Sequence, residues 1–389
     1  MPLTLSWTDY PEKYDDDSLV ENACFEPSIL YEDISKLKNH LLIKGDNYPV
    51  LKKLKQTFTE SVDLIYIDPP YNTGNDFVYN DNFSSGDDRH SAWLSFMQRR
   101  LNAARPLLKQ SGCIFIAIDQ SELYTLKLLC DQIFGEENYV NDFMWLHGKG
   151  KKDRWSRTLQ QHTLCYARNK KYLNPFRELE ETGWATKNPD ADPRGNWFSG
   201  SISFTETRSN PKHKNYYSIT SPSGKIWTRQ WQTDEANMKK LISENRIFWG
   251  SAPDYDKVPR IKIFNEDSAE VIPRNIIEQV ETTRAAQNHL DELLESKGAF
   301  DNPKPVSLIK HLIEITCMPK DALIMDFFAG SGTTYEAVCN LNAQDNGSRR
   351  CILIQKEENG IFELCKKRCK KVAELSGNQN QAPDLVDFT

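Results

Sequence analysis

A short apolar segment that ends in two consecutive prolines constrains the fold of this chain more than any other feature. Residues 62–67, Val-Asp-Leu-Ile-Tyr-Ile, have the length and apolar content of a buried strand. The next four residues, Asp68-Pro69-Pro70-Tyr71, stop that strand because two prolines cannot continue a central ladder. The sequence therefore predicts a carboxylate and an aromatic ring just past the carboxyl end of a buried strand. In open α/β sheets, ligands bind at that edge.

This motif suits methylation of an exocyclic amino nitrogen. The lone pair on adenine N6 is delocalised into the ring, so the nitrogen is a poor nucleophile. The Asp68 carboxylate and the Pro69 carbonyl can accept its two N–H bonds, and the prolines hold both acceptors in place. Tyr71 offers a ring on which a base flipped out of the duplex can stack. A plain strand-ending turn is the alternative, because Asp-Pro and Asn-x-Gly are common turn sequences.

A second strand-to-turn sequence lies near the end of the chain. Residues 322–327 predict a buried strand, and Gly330 and Gly332 allow a sharp turn that a ligand can approach closely. The third glycine of the dinucleotide fingerprint and the Walker lysine are both missing, which disfavours nicotinamide cofactors and nucleoside triphosphates. An acid roughly 25 residues further on, Glu357 or Glu358, can bind ribose hydroxyls. These features predict a nucleoside pocket without a pyrophosphate site, which suits S-adenosylmethionine.

The order of the predicted elements indicates an α/β fold with an insertion. A strand at 41–43, a helix at 48–58 and the strand before Asp68 form a right-handed βαβ unit. A helix at 91–108, closed by Ser111-Gly112, and a strand at 113–118 follow. The βα alternation is lost after residue 147 and returns after residue 300. We predict an N-terminal arm at 1–40, a catalytic half at 41–146, a target-recognition insertion at 147–300, a cofactor-binding half at 301–375 and a disordered tail at 376–389.

Charge is distributed unevenly along the chain. The net charge is −6, so contact with DNA requires a local basic surface. Residues 147–174 carry eight basic residues against one acid, interleaved with Trp155 and Tyr166. A solvated loop is the alternative for this segment. The candidate DNA-binding residues are Lys149, Lys151, Lys152, Arg154, Arg157 and Arg168.

Cysteine spacing and hydropathy indicate in which cellular compartment the protein is expected. The nine cysteines form no pairs of C-x-x-C motifs, which indicates reduced thiols and no metal site. No apolar run approaches the ~18 residues of a membrane span. The first ten residues lack the pattern of a signal peptide. We therefore expect a cytoplasmic protein that does not contact a membrane.

The two motifs, in this order, resemble those of the β-class amino-group DNA methyltransferases. In that class a D-P-P-Y motif precedes an F-x-G-x-G motif, and the target-recognition region lies between them. Here the motifs occupy residues 68–71 and 328–332. The chain is more narrowly similar to the modification subunits of type III restriction–modification systems, through residues 42–47, 65–77, 302–306 and 326–334. The resemblance implies an α/β fold with a circularly permuted, Rossmann-like methyltransferase sheet of seven strands.

The resemblance also implies residue roles. By this resemblance, the catalytic residues are Asp68, Pro69, Pro70 and Tyr71. The strand after the glycine turn ends I-Q-K-E-E, whereas the family often has V-Q-L-P-E, so the choice between Glu357 and Glu358 stays open. The residues expected to bind S-adenosylmethionine are Asp46, Asn47, Lys304, Pro305, Asp326, Phe327, Phe328, Ala329, Gly330, Gly332, Thr333, Thr334, Gln355 and Glu357.

The activity that the resemblance implies is methyl transfer from S-adenosylmethionine to adenine N6 of a base flipped out of duplex DNA, within a restriction–modification system. Cytosine N4 methylation uses the same geometry, but enzymes of that type more often have serine in place of Asp68. A catalytically silent DNA-specificity subunit is the alternative from a different class, and the intact motifs argue against it. Double-stranded DNA and a second copy of the chain are the implied partners. Partnership with a restriction subunit and a stand-alone enzyme both stay open.

Overall fold

The computed structural model describes residues 4–28, 37–74, 81, 83, 88–147, 155–179, 187–250, 255–264, 270–376 and 382–389. The chain divides into two compact units. The larger unit consists of Met1–Arg177 together with Pro273–Thr389, and the smaller unit is Glu178–Ile272.

The strands and helices of both units are numbered here in chain order. The strands are Phe25–Glu26 (β1), Leu41–Lys44 (β2), Val62–Ile67 (β3), Leu108–Ile118 (β4), Tyr139–Leu146 (β5), Gln160–Ala167 (β6), Glu178–Leu179 (β7), Trp197–Ser201 (β8), Tyr216–Thr220 (β9), Ile226–Gln230 (β10), Ile247–Phe248 (β11), Arg260–Phe264 (β12), Glu270–Val271 (β13), Ile276–Ile277 (β14), Leu323–Asp326 (β15), Arg350–Gln355 (β16) and Asp384–Phe388 (β17). The α-helices are Asp17–Glu21 (α1), Asn47–Phe58 (α2), Arg89–Ala104 (α3), Leu123–Phe134 (α4), Glu235–Ser243 (α5), Thr283–Leu294 (α6), Val306–Ile315 (α7), Thr333–Asp345 (α8) and Ile361–Leu375 (α9). None of these helices is both long and apolar enough to cross a membrane.

One sheet organises the larger unit, with strand order β1-β17-β2-β16-β15-β3-β4-β6-β5-β14. Its seven consecutive strands from β2 to β5 form the expected methyltransferase sheet, in which only β6 runs antiparallel to its neighbours. β17 and β1 extend it at one edge, and β14 extends it at the other. The expectation of an α/β methyltransferase sheet is therefore confirmed.

Helices cover both faces of this sheet. All six residues of β3 are buried, as the apolar run predicts for a strand covered on both sides. Alternate residues of the strands enter two apolar cores, one shared with α2, α3 and α4 and the other with α7, α8 and α9. The loops at the carboxyl ends of the parallel strands meet at a single edge of the sheet, where Asp68 lies.

The boundary between α3 and β4 differs from the prediction. The helix ends at Ala104, a short 3₁₀ turn spans Arg105–Leu107, and the strand begins at Leu108. Pro106 within that turn cannot continue the α-helix. Gly112, predicted to close the helix, lies inside β4, where a Cβ atom would stand 2.9 Å from the main-chain oxygen of Asp63. Glycine is needed here because β4 approaches the backbone of β3 closely, and not because a helix ends at this position.

Both ends of the chain are more ordered than predicted. The tail was predicted to be disordered, but β17 pairs in parallel with β2, and Val386 is only 1 % exposed. The prediction failed because the residues before β17 are polar and the strand itself contains only a short apolar run. At the other end, Phe25 and Leu37 are buried in the main core, so the described parts of this segment, residues 4–28 and 37–40, are not a free arm. Arg99 binds Asp9 and Asp15 and attaches the acidic segment to α3.

The predicted insertion at 147–300 is wrong in its boundaries. β6 lies between β4 and β5 in the main sheet, and β14 pairs with β5. α6 also belongs to the larger unit. The separate compact unit begins at Glu178 and ends at Ile272. The buried run of β6, from His162 to Ala167, was obscured by the basic residues on either side of it.

The smaller unit has its own apolar core. A three-stranded sheet of β8, β12 and β11, the hairpin of β9 and β10, and α5 surround Trp231 and Met238, which are both fully buried. The buried Lys262 ammonium lies 2.9 Å from the buried Asp192 carboxylate, which also binds Arg194. These cations hold the pKa of Asp192 below its usual range, despite burial.

Candidate active site

A cavity of about 310 Å³ opens at the carboxyl edge of the main sheet, where β2, β3, β15 and β16 end. Its position follows from the sheet order, because β15 and β3 are adjacent and each is followed by a loop with predicted site residues. Thirteen of the predicted residues line it, namely Asp46, Asn47, Asp68, Pro70, Lys304, Asp326, Phe327, Phe328, Ala329, Gly330, Thr333, Thr334 and Gln355.

The Asp68 carboxylate is held by two donors. The Tyr71 hydroxyl donates to Oδ1 at 2.6 Å, and the Lys304 ammonium donates to Oδ2 at 2.6 Å. Lys304 is 9 % exposed and lies 5.1 Å from the centre of the Tyr71 ring. The prediction placed Lys304 with the cofactor, and its nearest charged partner proves to be the proposed catalytic carboxylate. It reaches that carboxylate from the loop before α7, 236 positions further along the chain.

The backbone around this motif is fixed by side chains of other elements. The Trp93 indole donates to the Pro70 carbonyl at 2.7 Å. Asn72, the first residue after the motif, is buried and has a positive φ of 58°. Its main-chain N–H donates to Asp81 at 2.8 Å, and its amide donates to the buried Glu122 at 2.6 Å. These contacts leave little freedom to the loop that carries Asp68, as preorganised catalysis requires.

The glycine turn after β15 has the conformation that its residues predict. Gly330 and Gly332 have φ values of +52° and +82°, which side-chain-bearing residues rarely adopt. The Gly330 N–H donates to the side-chain oxygen of Gln355 at 2.8 Å, which links the turn to the end of β16. Gly332 does not line the cavity. It lies against Cys365 of α9, where a Cβ atom would stand 3.0 Å from the sulfur.

A buried arginine on α9 holds the turn from behind. Arg368 is 1 % exposed and donates to the hydroxyl oxygens of Ser331 at 3.0 Å and Thr333 at 2.8 Å. Its Nε donates to the buried Glu336 at 2.8 Å, and Glu336 also binds His289. The hydrogen bond with His289 and the charge of Arg368 lower the pKa of Glu336 in spite of its burial. The sequence carries no signal for this role, because Arg368 lies in a helix with many exposed basic residues.

A second arginine that the prediction missed binds the loop after β2. Arg100 on α3 donates to the Asn47 side-chain oxygen at 2.6 Å and lies 3.3 Å from Asp46. Asn47 in turn donates to the Phe327 carbonyl at 2.7 Å. The Arg100 guanidinium stacks 3.5 Å from the Phe96 ring centre, and both side chains line the cavity.

Asp326 is a buried acid in the cavity wall. The main-chain N–H of Phe328 donates to it at 3.0 Å, and the Thr334 hydroxyl donates at 2.5 Å. Burial raises the pKa of Asp326 to about 7, and the nearby Asp68 carboxylate adds to the rise.

Of the two acids that the prediction left open at the end of β16, only the second lines the cavity. Glu358 lines the cavity, whereas Glu357 is exposed and accepts a hydrogen bond from the Gly360 N–H at 3.1 Å. Glu357 therefore serves the start of α9, and the prediction of Glu357 as a cavity residue is wrong. The positions differ by one residue, and only the backbone path after β16 decides between them.

Comparison with known proteins agrees with this geometry. The sequence model of a DNA methylase family matches residues 62–366. The chain belongs to this family. It is 33% identical to the StyLTI Mod subunit, a type III restriction–modification enzyme of Salmonella typhimurium, over 89% of this chain and 59% of that protein. It is 30% identical to the EcoP15I Mod subunit of Escherichia coli, over 90% of this chain and 65% of that protein.

A type II methyltransferase matches with more even coverage of the two chains. The chain is 31% identical to the type II methyltransferase M.KpnI of Klebsiella pneumoniae, over 80% of this chain and 79% of that protein. The chain thus spans about 59% to 65% of the two modification subunits that it resembles.

The remaining predicted residues and the remaining lining residues form two groups. Pro69, Tyr71 and Pro305 lie next to cavity residues without lining the cavity themselves. Strand alternation could have indicated Tyr66, two residues before Asp68, but the other unpredicted lining residues require the tertiary structure. The lining residues that the prediction missed are Tyr66, Phe83, Phe96, Arg100, Phe300, Asn302, Ile309, Ser331, Ile354, Lys356 and Ile361.

The basic segment does not form one continuous surface. Arg157 is exposed in the connection from β5 to β6, at the same edge of the sheet as Asp68. Arg168 follows β6, and its main-chain N–H donates to Gly112 O at the opposite edge. The prediction that Arg168 joins the same surface is wrong, because a strand of eight residues separates the two arginines. The other four candidates, Lys149, Lys151, Lys152 and Arg154, lie outside the described residues.

Proposed function

We propose that this chain transfers a methyl group from S-adenosylmethionine to adenine N6 of a base flipped out of duplex DNA. The observation that carries the proposal is the Asp68 carboxylate, fixed by Tyr71 and Lys304 beside a cavity that also contains the glycine turn. Membership of the DNA methylase family and similarity to M.KpnI support the reaction class.

The residues of the cavity suit S-adenosylmethionine. A Cβ atom on Gly330 would stand 3.2 Å from the ring of Phe300, which also lines the cavity. Glycine therefore leaves the backbone open to a ligand at this point. Glu358 lies where an acid can bind ribose hydroxyls, and Phe300, Ile354 and Ile361 give an apolar wall for an adenine ring. When bound, S-adenosylmethionine supplies an electrophilic methyl group on a sulfonium sulfur.

Asp68 and Pro69 would act on the amino nitrogen of the target base. Their oxygens accept its two N–H bonds, and the nitrogen gains tetrahedral character and a localised lone pair. The nitrogen then forms its bond to the methyl carbon as the carbon–sulfur bond breaks and its electron pair passes to sulfur. One of the two amino protons would then be released to solvent water. Tyr71 would stack on the base.

Lys304 does not prevent this role of Asp68. An ionised carboxylate has about four acceptor positions, and the contacts from Tyr71 and Lys304 occupy two of them. The ammonium and the phenol instead fix the plane of the carboxylate, so that the remaining lone pairs keep one direction. Lys304 is therefore a positioning residue in this proposal.

The DNA-facing parts of the proposal rest on chain topology and similarity. Arg157 and its basic neighbours would contact phosphates at the active-site edge. The compact unit Glu178–Ile272 would recognise the target sequence, since it is inserted between the two halves of the catalytic unit. Similarity to Mod subunits supports a cytoplasmic restriction–modification setting, with a homodimer and a restriction subunit as partners.

Sequencing of DNA from an expressing cell tests the proposal. The chain is expressed alone in a host without adenine methylation, and modified bases are mapped across the genome. N6-methyladenine at one short motif, lost in Asp68→Ala, is the expected result. Purified Asp68→Ala should still bind S-adenosylmethionine. Methylation at cytosine N4 would refute the choice of base, and methylation that survives Asp68→Ala would refute the mechanism.

A further inference from the structure

Tyr66 is a buried phenol without a function in the mechanism so far. It lies on β3, is 1 % exposed and lines the cavity. Its hydroxyl oxygen is buried and has no hydrogen-bond partner within the described residues. An unsatisfied buried hydroxyl lowers stability, so such a group calls for an explanation. A ligand in the cavity would supply the missing partner.

The surroundings of Tyr66 decide what kind of partner it can take. Strand alternation places its side chain on the same face of β3 as Asp68. The strand register pairs Met325 with Ile65, so Tyr66 and Asp326 are the next neighbours across β15 and β3. Burial and these two carboxyl groups raise the pKa of the Tyr66 hydroxyl well above its ordinary value of 10. The phenol therefore stays protonated and acts as a hydrogen-bond donor.

The order of strands decides which end of the cofactor lies near this donor. Glu358 and Gln355, at the ribose end, follow β16, and the glycine turn follows β15. Asp68, beside which the methyl group must lie, follows β3. A cofactor that extends from β16 across β15 to β3 therefore has its methionine end at Tyr66. The acceptor at that end is the α-carboxylate.

We infer that the Tyr66 hydroxyl donates a hydrogen bond to the α-carboxylate of S-adenosylmethionine and orients its methionine end toward Asp68. This inference rests on the proposed function and assigns a ligand contact to a residue outside both sequence motifs. The hydroxyl is buried and has no partner among the described residues, so little of its desolvation remains when the ligand binds. Binding then gains a charge-assisted hydrogen bond at full strength.

Tyr66→Phe separates this role from a structural one. The free variant should melt at the same temperature as the wild type or higher, because an unsatisfied hydroxyl is removed. Its Kd for S-adenosylmethionine should rise about tenfold or more, as expected for a lost hydrogen bond to a charged group. Calorimetric titration of the full chain gives both Kd values, and a thermal scan gives the melting temperatures.

Decarboxylated S-adenosylmethionine identifies the ligand atom. It keeps the sulfonium and the adenosine, so Tyr66→Phe should leave its Kd unchanged within about twofold. An equal rise in Kd for both ligands would overturn the inference, since the hydroxyl would then bind another part of the cofactor. An unchanged Kd for S-adenosylmethionine would overturn it as well. If the wild type binds neither ligand, the proposed function itself has failed.

Tyr166→Phe is the matched control. Tyr166 is also a buried phenol, but its hydroxyl donates to Asp131 at 2.7 Å near the opposite edge of the sheet. Its loss should lower the melting temperature and leave the Kd for S-adenosylmethionine unchanged. Tyr66→Phe should therefore weaken binding without lowering the melting temperature, whereas Tyr166→Phe should lower the melting temperature without weakening binding. If Tyr66→Phe merely disturbed packing, it would lower the melting temperature as Tyr166→Phe does.

Discussion

The buried acid at the end of β15 should make the stability of the free protein depend on pH. Burial raises the pKa of Asp326 to about 7, whereas in the unfolded chain the same carboxyl ionises near its ordinary value of 3.8. Between these values the folded protein binds more protons than the unfolded chain, so the free energy of unfolding falls as pH rises. The loss from pH 5 to pH 7 is about 2 kcal/mol, because the slope of about 1.36 kcal/mol per pH unit falls to half at the folded pKa, and little more is lost above pH 7.

Asp326→Asn removes this titration and keeps the shape of the side chain. Thermal scans of the wild type and the variant at pH 5 and pH 8, without ligand, isolate the contribution of this one group. The melting temperature of the wild type should fall by about 3 °C more than that of the variant, given roughly 2.1 cal/mol/K of unfolding entropy per residue. An equal fall for both proteins would refute the assignment of a raised pKa to Asp326.

Three further substitutions test the supports of the site and the fold. Arg368→Met removes the buried cation behind the glycine turn and should cost about 3 kcal/mol of unfolding free energy, with weaker calorimetric binding of S-adenosylmethionine; unchanged stability would contradict this. Gly332→Ala should cost about 2 kcal/mol in thermal or chemical unfolding, because φ is +82° and the new Cβ would stand 3.0 Å from Cys365 Sγ. Val386→Ala should cost about 2 kcal/mol if β17 is part of the core, whereas Leu385→Ala, at a position that is 42 % exposed, should be nearly neutral; equal effects would argue against β17.

Local sequence patterns were sufficient for the centre of the fold. The apolar run of β3 and the prolines after it predicted both the buried strand and the position of Asp68 at its carboxyl end. Gly330 and Gly332 predicted the turn after β15, because positive φ values are a property of the residue type. These features depend on neighbours in the chain, which a sequence displays directly.

Contacts between distant residues could not be predicted in the same way. Lys304 contacts Asp68 from 236 positions away, and Arg100 reaches Asn47 from another helix. Arg368 has the composition of an exposed helical residue, yet it is buried against the glycine turn. The basic segment was read as one surface because its charges are close in sequence, but β6 carries Arg168 to the opposite edge of the sheet.

The central claim is that this chain methylates adenine N6 through Asp68. Its most direct test is incubation of the purified chain with duplex DNA and S-adenosylmethionine that carries an isotope-labelled methyl group, followed by mass spectrometry of the digested nucleosides. We expect label in N6-methyldeoxyadenosine with the wild type and no label with Asp68→Ala. Label in N4-methyldeoxycytidine, or equal labelling of adenine by Asp68→Ala, would contradict it.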